Sequence, residues 1–154
     1  MRGCESGSGA ARFFLAATMA VCEHSTRQTS RSLRILVAED NPDGRATLCA
    51  LLELQGHEVA TAEDGLRGVQ KALAYHPEVA FIDIGLPGLD GYQVAQQLRK
   101  ALGHDVFLIA YTAYNQPEDR QRAYAAGFDA YLVKPVDLAD FDYWLAEAAR
   151  SRPI

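Results

Sequence analysis

Side chains able to bind a metal ion or a phosphoryl group follow four of the apolar runs in this sequence. They are, in chain order, Glu39, Asp40, Asp83, Thr112 and Lys134. Three clustered carboxylates repel one another, and a hard divalent cation such as Mg²⁺ relieves that repulsion. A carboxylate beside such a cation can take up a phosphoryl group, whose oxygens a hydroxyl and an ammonium can hold. The set therefore indicates phosphoryl-transfer chemistry.

Asp83 is the central candidate, because it ends an apolar run and opens a loop rich in glycine and proline. Ligands of open α/β sheets bind beyond the carboxyl ends of the strands. Taken alone, Asp83 is equally well explained as a cap for the following loop or helix, and each of the other four residues has a similar structural explanation. Their joint placement after four separate strands is hard to produce by capping alone.

The elements that must position these residues alternate regularly between residues 33 and 150. Strands are predicted at residues 33–38, 57–61, 79–83, 106–112 and 130–134, and helices at residues 43–55, 63–75, 91–102, 117–126 and 137–150. The runs of strands one, three, four and five are continuously apolar, which is typical of strands buried on both faces. The fold class is therefore predicted to be α/β, a doubly wound parallel sheet with helices on both faces.

The second strand is polar enough to be predicted at a sheet edge. Helical spacing predicts that Leu66, Val69 and Leu73 of the second helix face the core, as do Leu138 and Phe141 of the last helix. Pro135 restrains the chain just after Lys134, and a cis bond between these two residues is one turn geometry that would fix where the ammonium points.

The bulk composition fits one domain with a sizeable core. The chain has 154 residues, 49% of them hydrophobic, and a net charge of −5. An acidic chain argues against a nucleic-acid-binding surface, which needs clustered Lys and Arg. Cys4, Cys22 and Cys49 lack the spacing of metal ligands, so we interpret them as free thiols in a reducing, cytoplasmic compartment.

Residues 1–32 are predicted to be a disordered or poorly ordered extension, and residues 151–154 a tail. Residues 13–22 form an apolar run that is shorter than the roughly 20 residues needed to span a bilayer, so no membrane insertion is predicted. Three origins of this run stay open: a variable or mistaken translation start before a cytosolic domain, a secretory signal, or the tail of a helix from a partner or parent domain.

Four separated motifs resemble the receiver domain of bacterial two-component response regulators over roughly residues 33–150. They are ILVAEDN at 35–41, DIGLPGLDGY at 83–92, YTA at 111–113 and AGFDAYLVKP at 126–135. The sequences of the second and fourth motifs are particularly similar to those of receivers of hybrid sensor histidine kinases. The resemblance implies a five-stranded parallel sheet in the flavodoxin-like order 2-1-3-4-5.

The resemblance also implies roles for individual residues. Asp83 corresponds to the phospho-accepting aspartate, and Thr112 and Lys134 to the hydroxyl and amine that hold the phosphoryl group. The implied Mg²⁺ ligands are Glu39, Asp40, Asp83 and the backbone carbonyl of Gly85. Tyr131 corresponds to the switch aromatic, whose rotamer would report phosphorylation together with a shift of Thr112.

Partners follow from the same resemblance. A histidine kinase or a histidine phosphotransfer protein would supply the phosphoryl group, and a downstream protein would read a surface formed by residues 115–126 and Tyr131. The chain is expected to catalyse only its own phosphorylation and dephosphorylation. Gly85 and Tyr114 occupy positions associated in this family with the rate of self-dephosphorylation, and Tyr114 is predicted to shield the phosphoryl group from water.

Three rivals remain for the function. A phosphatase of the haloacid-dehalogenase type needs a second acid two positions after its nucleophile, where this chain has Gly85. A flavodoxin-like domain that binds cobalamin or flavin lacks support, since no His follows Asp83 and no glycine-rich turn follows the first strand. The third rival is a degenerate receiver that only mediates binding.

The histidines show no kinase-like setting and are predicted to be surface or edge residues: His24, His57, His76 and His104. No helix-turn-helix, kinase or cyclase segment is recognised after residue 150, so output is expected through protein contact or on another chain. Whether the chain acts alone, as a phosphate shuttle or as a piece of a hybrid kinase stays open.

Overall fold

The structure is a computed structural model that describes residues 31–151, and within this range five parallel strands alternate with five α-helices. The strands are β1 (Arg34–Ala38), β2 (Glu58–Ala62), β3 (Val79–Ile82), β4 (Phe107–Thr112) and β5 (Ala130–Val133). The helices are α1 (Pro42–Leu54), α2 (Gly65–Tyr75), α3 (Gly91–Leu102), α4 (Pro117–Ala126) and α5 (Leu138–Arg150), and a short 3-10 turn covers Gly103–Asp105.

The strand order is β2-β1-β3-β4-β5, and every neighbouring pair is parallel. This confirms the predicted doubly wound sheet and the edge position of β2. Because all strands run the same way, the residues that follow β1, β3 and β5 meet with the end of β4 at one edge of the sheet. We call the side of the sheet where the strands end the carboxyl edge, and the opposite side, where the strands begin, the amino edge. Both are distinct from the lateral edge that β2 forms.

Helices cover both faces of the sheet. Alternate residues of β1 belong to different hydrophobic clusters, Ile35 and Val37 to one, and Leu36 and Ala38 to the other. The first cluster includes Leu48 and Leu52 of α1 and Phe141 and Leu145 of α5, and the second includes residues of α2, α3 and α4. Strands buried on both faces are what the continuous apolar runs predicted.

Side-chain caps set where the helices begin. Asn41 accepts hydrogen bonds from the backbone N–H groups of Asp43 and Gly44, at 2.9 and 3.1 Å, and so starts α1 directly after the acid pair. Asp64 accepts from the N–H of Arg67 at 2.7 Å, so α2 begins at Gly65 instead of the predicted residue 63.

The predicted core face of α2 was wrong in part. Val69 is buried, but Leu66 and Leu73 are 56% and 42% exposed. The helix instead faces the sheet with small residues, and a Cβ on Gly68 would lie only 3.5 Å from the Cβ of Ala38. This close approach turns the larger leucines outward.

In α5 the prediction was wrong for Leu138, which is exposed, and right for Phe141, which is buried. Leu138 is the first helical residue, directly after the capping Asp137, and lies before the turn that packs on the sheet.

His57 directly precedes the edge strand β2, which agrees with the predicted edge position, but it is 8% exposed and therefore not a surface residue. Its Nδ1 accepts a hydrogen bond of 3.1 Å from the backbone N–H of Leu33. Burial lowers the pKa of His57, and the charge of Glu78 opposes that shift. His76 and His104 are exposed, as predicted, whereas His24 lies outside the described residues.

The predicted extension and tail lie mostly outside the described residues, as do Cys4 and Cys22 and the apolar run of residues 13–22. Arg31, near the start of the described range, binds the Glu78 carboxylate and the backbone carbonyl of Ala149. Cys49 is a half-buried free thiol. Between residues 31 and 151 the structure has no helix with the length and apolar character that crossing a bilayer requires.

Candidate active site

Asp83 follows β3 at the carboxyl edge. Its backbone N–H donates to the carbonyl of Ala38 at 3.0 Å, which continues the pairing of β3 with β1. Its Oδ1 accepts a hydrogen bond of 3.0 Å from the N–H of Gly85. The backbone on both sides of Asp83 is therefore held, and its second carboxylate oxygen faces the other site residues.

The loop after Asp83 returns closely onto itself at Gly91, the first residue of α3. The N–H of Gly91 donates to the carbonyl of Ile84 at 2.9 Å, and a Cβ on residue 91 would lie 2.6 Å from the Cα of Ile84. Real Cβ atoms do not approach backbone that closely, so this position requires glycine. The approach fixes the start of α3 beside Asp83.

Glu39 and Asp40 follow β1 and reach the same place. Carboxylate oxygens of Glu39, Asp40 and Asp83 all lie within 4.8 Å of one another. Glu39 is 3% exposed, and its Oε2 is buried without a hydrogen-bond partner among residues 31–151. A buried oxygen without a donor is costly unless a cation completes it. This all-oxygen set with an orphaned buried atom fits a hard cation such as Mg²⁺.

Lys134 follows β5 and closes the cluster. Its Nζ donates to Glu39 Oε1 at 2.6 Å and to Asp83 Oδ2 at 3.2 Å. The backbone N–H of Lys134 donates to the carbonyl of Thr112 at 2.8 Å, and the bond between Lys134 and Pro135 is cis, one of the predicted geometries. The structure therefore brings the predicted acids and the predicted amine together.

Burial and mutual contact shift the ionisation of these groups in different directions. Burial raises the pKa of Glu39 to about 7, the neighbouring Asp83 carboxylate adds to the rise, and Lys134 opposes it. Burial also acts to raise the pKa of Asp83, but the neighbouring Glu39, the Gly85 amide and Lys134 outweigh it and lower the pKa. The pKa of Asp83 therefore lies below that of Glu39, so Asp83 is the more readily ionised carboxyl of the pair.

Thr112, the last residue of β4, is buried, and its Oγ1 accepts a hydrogen bond of 3.2 Å from the N–H of Tyr114. The hydroxyl of Tyr131 donates to the carbonyl of the same Tyr114 at 2.6 Å. Tyr131 is only 4% exposed, and the Arg120 guanidinium lies 4.9 Å from its ring centroid. The residue-114 backbone thus links Thr112 to Tyr131, and the ring of Tyr131 points inward in this structure.

Tyr114 also lies against the loop that follows Asp83. A Cβ on Gly85 would be 3.3 Å from the Tyr114 hydroxyl and 3.8 Å from Asp83 Oδ1. The phenol of Tyr114 therefore occupies the space beside Gly85 and close to the Asp83 carboxylate.

Two contacts at this edge were not expected from the sequence. Arg45 of α1 donates to the backbone carbonyl of Glu39 at 2.7 Å, and the ring of Tyr111 lies 4.8 Å from Lys134 Nζ. The position of Arg45, one turn into a helix that opens at Asn41, was a signal for the first contact. For Tyr111 the signal was an aromatic residue directly before Thr112 at a strand end.

Known proteins resemble this chain over the same stretch of sequence. Residues 35–143 match the response regulator receiver domain family, which is more than half of the 154 residues. The chain belongs to this family. It is thus a receiver domain of two-component signalling, with the flavodoxin-like fold, and this excludes haloacid-dehalogenase and cobalamin-binding identities for the domain.

Curated relatives of this receiver include regulators of different length. The transcriptional regulatory protein PrrA of Mycobacterium bovis is 41% identical over 109 residues, which are 71% of this chain and 46% of PrrA. The protein PilH of Pseudomonas aeruginosa is 40% identical over 105 residues, which are 68% of this chain and 87% of PilH. The receiver thus spans about half the length of PrrA and most of the length of PilH.

Among solved structures, the receiver domain of a sensor histidine kinase from Pseudomonas aeruginosa superimposes with a TM-score of 0.70 at 32% identity. The match covers 76% of this chain and 97% of that domain, which was solved with a magnesium ion coordinated in its active site cleft. The response regulator domain of CheB from Thermotoga maritima gives a TM-score of 0.67 at 25% identity, covering 79% of this chain and 96% of that chain.

Proposed function

We propose that this receiver accepts a phosphoryl group on Asp83, in the presence of Mg²⁺, and thereby switches a protein-binding surface. The observation that carries the proposal is the contact of one ammonium with two carboxylates, since Lys134 Nζ bridges Glu39 and Asp83 beside Asp40. Gathering three carboxylates costs free energy through their mutual repulsion, and one ammonium offsets only part of it, so the cluster is suited to a further positive ligand.

The group-transfer step uses Asp83 as nucleophile. A carboxylate oxygen of Asp83 forms a bond to phosphorus while the bond from phosphorus to the donor, a phosphohistidine or a small acyl phosphate, breaks. The donor leaves with the bonding electron pair, and Asp83 becomes an acyl phosphate. Lys134 and Thr112 are proposed to hold the phosphoryl oxygens, because one is already within 3.2 Å of Asp83 and the other ends the neighbouring strand.

The ligands proposed for Mg²⁺ are Glu39, Asp40, Asp83 and the backbone carbonyl of Gly85. When bound, the ion supplies positive charge that offsets the repulsion among the acids and the incoming phosphoryl group. Glu39 would contribute to this site, since its buried Oε2 lacks a donor among residues 31–151. Lys134 retains its hydrogen bond to the other oxygen of the same carboxylate.

The switch is proposed to run through the backbone of Tyr114. If the Thr112 hydroxyl turns to a phosphoryl oxygen, it releases the N–H of Tyr114, whose carbonyl holds the hydroxyl of Tyr131. A shift of this peptide would change Tyr131 and the surface of residues 115–126 beside it. A two-state gap of a few kcal/mol is enough for an added phosphoryl group to shift the population.

Partners are proposed from the family and from these contacts. A histidine kinase or a histidine phosphotransfer protein is the proposed donor, and a downstream protein is the proposed reader of residues 115–126 with Tyr131. The chain is proposed to catalyse only its own phosphorylation and dephosphorylation. A cytoplasmic location is proposed on the same grounds, and no nucleic-acid partner is proposed.

Incubation with acetyl phosphate and Mg²⁺, followed by intact-mass measurement, tests the central step. We expect one phosphoryl adduct on the wild-type protein and none on Asp83→Asn. Asp90→Asn is the matched control, because Asp90 belongs to the same loop but caps α3, and Asn caps helices as well as Asp does. An adduct of equal amount on Asp83→Asn, or none on the wild-type protein, contradicts the proposal.

The fluorescence of Trp144 tests the switch. Trp144 is the single tryptophan of the chain and lines a groove of about 370 Å³ together with Tyr131 and Arg120. We expect acetyl phosphate with Mg²⁺ to change its emission in the wild-type protein and to leave Asp83→Asn unchanged. A phosphorylated protein whose Trp144 emission and Tyr131 NMR signals both stay constant would show that the groove does not respond.

A further inference from the structure

Lys134 has a third contact besides its two carboxylates. Its Nζ lies 4.8 Å from the centroid of the Tyr111 ring. This is within the distance of about 6 Å at which an aromatic face attracts a cation. The lysine side chain is a flexible four-carbon stem, so each added contact reduces the number of positions that its ammonium can occupy.

The ring of Tyr111 is itself held in place. It meets Phe81 edge-on, with ring centroids 6.4 Å apart and planes at 90°. Phe81 in turn stacks on Phe141 of α5, with centroids 5.1 Å apart and planes 12° from parallel. Phe81 and Phe141 are both buried, so a chain of packed rings connects the ammonium of Lys134 to the last helix.

Strand geometry gives Tyr111 a different task from its neighbour Thr112. Successive residues of a strand point to opposite faces, so the two side chains leave β4 in opposite directions. Tyr111 packs with the cluster that contains Phe81 and Phe141 and reaches Lys134 from that side. The last two residues of β4 therefore act on different groups of the site. Tyr111 contacts the ammonium of Lys134, and Thr112 is the residue proposed to hold a phosphoryl oxygen.

We propose that Tyr111 is a positioning residue, whose ring face holds the Lys134 ammonium beside Asp83 so that it can pass from the carboxylates to the phosphoryl oxygens. This inference rests on the proposed phosphorylation of Asp83. An aromatic face attracts the ammonium through its quadrupole and offers no carboxylate oxygen, so it does not compete with the phosphoryl group as a strong acceptor. The attraction belongs to the ring, not to the hydroxyl, so phenylalanine should replace tyrosine here.

Three variants test this role through the rate of phosphorylation by acetyl phosphate at saturating Mg²⁺. Tyr111→Leu removes the ring and should slow the reaction about three- to tenfold, the change expected for one cation–π contact. Tyr111→Phe keeps the ring face and should retain most of the rate. Phe107→Leu is the matched control, because Phe107 points to the same face of β4 four residues earlier and packs on Trp144, with centroids 6.3 Å apart.

A proton NMR measurement tests the placement itself. Methylene protons that lie over an aromatic ring shift upfield, so the Lys134 Cε protons should be shifted in the wild-type protein and in Tyr111→Phe but not in Tyr111→Leu. No ring-dependent shift overturns the inference, as does an equal loss of rate in Phe107→Leu and Tyr111→Leu.

The failure of the two proposals can be told apart. No adduct on the wild-type protein overturns the proposed function and this inference with it. An adduct on the wild-type protein together with an unchanged rate in Tyr111→Leu overturns the positioning role alone.

Discussion

The charged side chains at the amino edge and at the carboxyl edge of the sheet differ in how completely they are paired. At the amino edge, Arg99 donates to the carbonyls of Gly103, Val106 and Gly127 and pairs with Asp129. Asp129 also accepts from the N–H of Leu108 at 2.9 Å, at the start of β4. These groups complete one another, and the network joins the end of α3 to the beginnings of β4 and β5.

The same holds at the beginning of β1 and β3. Glu78 accepts from the backbone N–H of Arg34 at 3.1 Å and from the Arg31 guanidinium, while His57 accepts from the N–H of Leu33. At the carboxyl edge, by contrast, three carboxylates lie together, one ammonium binds two of them, and one oxygen of Glu39 has no donor within residues 31–151. The charged groups of the amino edge have partners that stabilise the fold, whereas this Glu39 oxygen lies in a cluster of acids that a cation would complete.

The largest expected effect on stability comes from breaking the amino edge at Arg99. Arg99→Ala leaves Asp129 and three carbonyls without their donor and should lower the free energy of unfolding by about 3–5 kcal/mol. Urea denaturation measures it. Arg150→Ala is the control, since its exposed pair with Glu147 should contribute less than about 1 kcal/mol. Similar losses of stability in the two variants would mean that the Arg99 network contributes no more than an exposed ion pair does.

A smaller effect is expected at His57. His57→Leu leaves the N–H of Leu33 without an acceptor and should cost about 1–3 kcal/mol at pH 7.5. His57→Asn keeps an acceptor oxygen and should cost less. Equal stabilities of His57→Leu and His57→Asn by urea denaturation would show that this hydrogen bond contributes little.

The same residue gives the amino edge a pH dependence. The folded-state pKa of His57 is lowered by burial, so the unfolded chain binds the proton more readily. The stability contributed by neutral His57 is therefore full above the unfolded value of about 6.5 and is lost as pH falls below it. The wild-type protein should lose up to about 1.4 kcal/mol per pH unit more than His57→Asn there. If the unfolding free energies of the wild-type protein and His57→Asn fall in parallel from pH 7.5 to 5.5, this prediction is contradicted.

At the carboxyl edge, stability should depend on a ligand instead. Mg²⁺ at ten times its dissociation constant should raise the free energy of unfolding by about 1.4 kcal/mol, because it binds the folded acid cluster. Asp83→Asn should lose most of this gain, whereas Arg99→Ala should keep it on a lower baseline. Buffers that are free of calcium and matched in ionic strength separate Mg²⁺ binding from general screening of the charges by salt. A gain that survives Asp83→Asn would place the metal elsewhere.

The smallest effect on stability is expected at Tyr114, whose side chain is 49% exposed. Tyr114→Ala should change the free energy of unfolding by about 0.5 kcal/mol or less, as surface substitutions usually do. It should nonetheless shorten the lifetime of the phosphoryl group, because the phenol beside Gly85 would no longer shield Asp83 from water. The decay of the adduct, followed by intact mass, measures this, and an unchanged decay rate would contradict the shielding.

Much of the carboxyl edge could be predicted from the sequence, because parallel strands bring their carboxyl ends together whatever the details of packing. Glu39, Asp83 and Lys134 meet for that reason. The amino edge was harder to predict. His57 is a polar residue in a polar strand, and its burial depends on the amide of Leu33, which lies 24 residues away in the chain.

Side-chain packing limited the rest of the prediction. Helical spacing placed Leu66 and Leu73 inside, but Gly68 and Ala72 bring α2 so close to the sheet that the small residues face the core. The contact of Tyr111 with Lys134 depends on side-chain rotamers, which local sequence does not specify. Sequence patterns therefore predicted which strand ends meet, but not which side chains touch.

Two glycines of the loop after Asp83 differ in how freely they can be replaced. At position 91 a side chain would meet the backbone of Ile84, so nearly every substitution would disturb the loop. At position 85 a Cβ would lie 3.3 Å from the Tyr114 hydroxyl, which can move aside, and 3.8 Å from Asp83 Oδ1, an ordinary contact distance. The loop therefore tolerates a side chain at position 85, beside the phosphorylation site proposed at Asp83, but requires glycine at position 91.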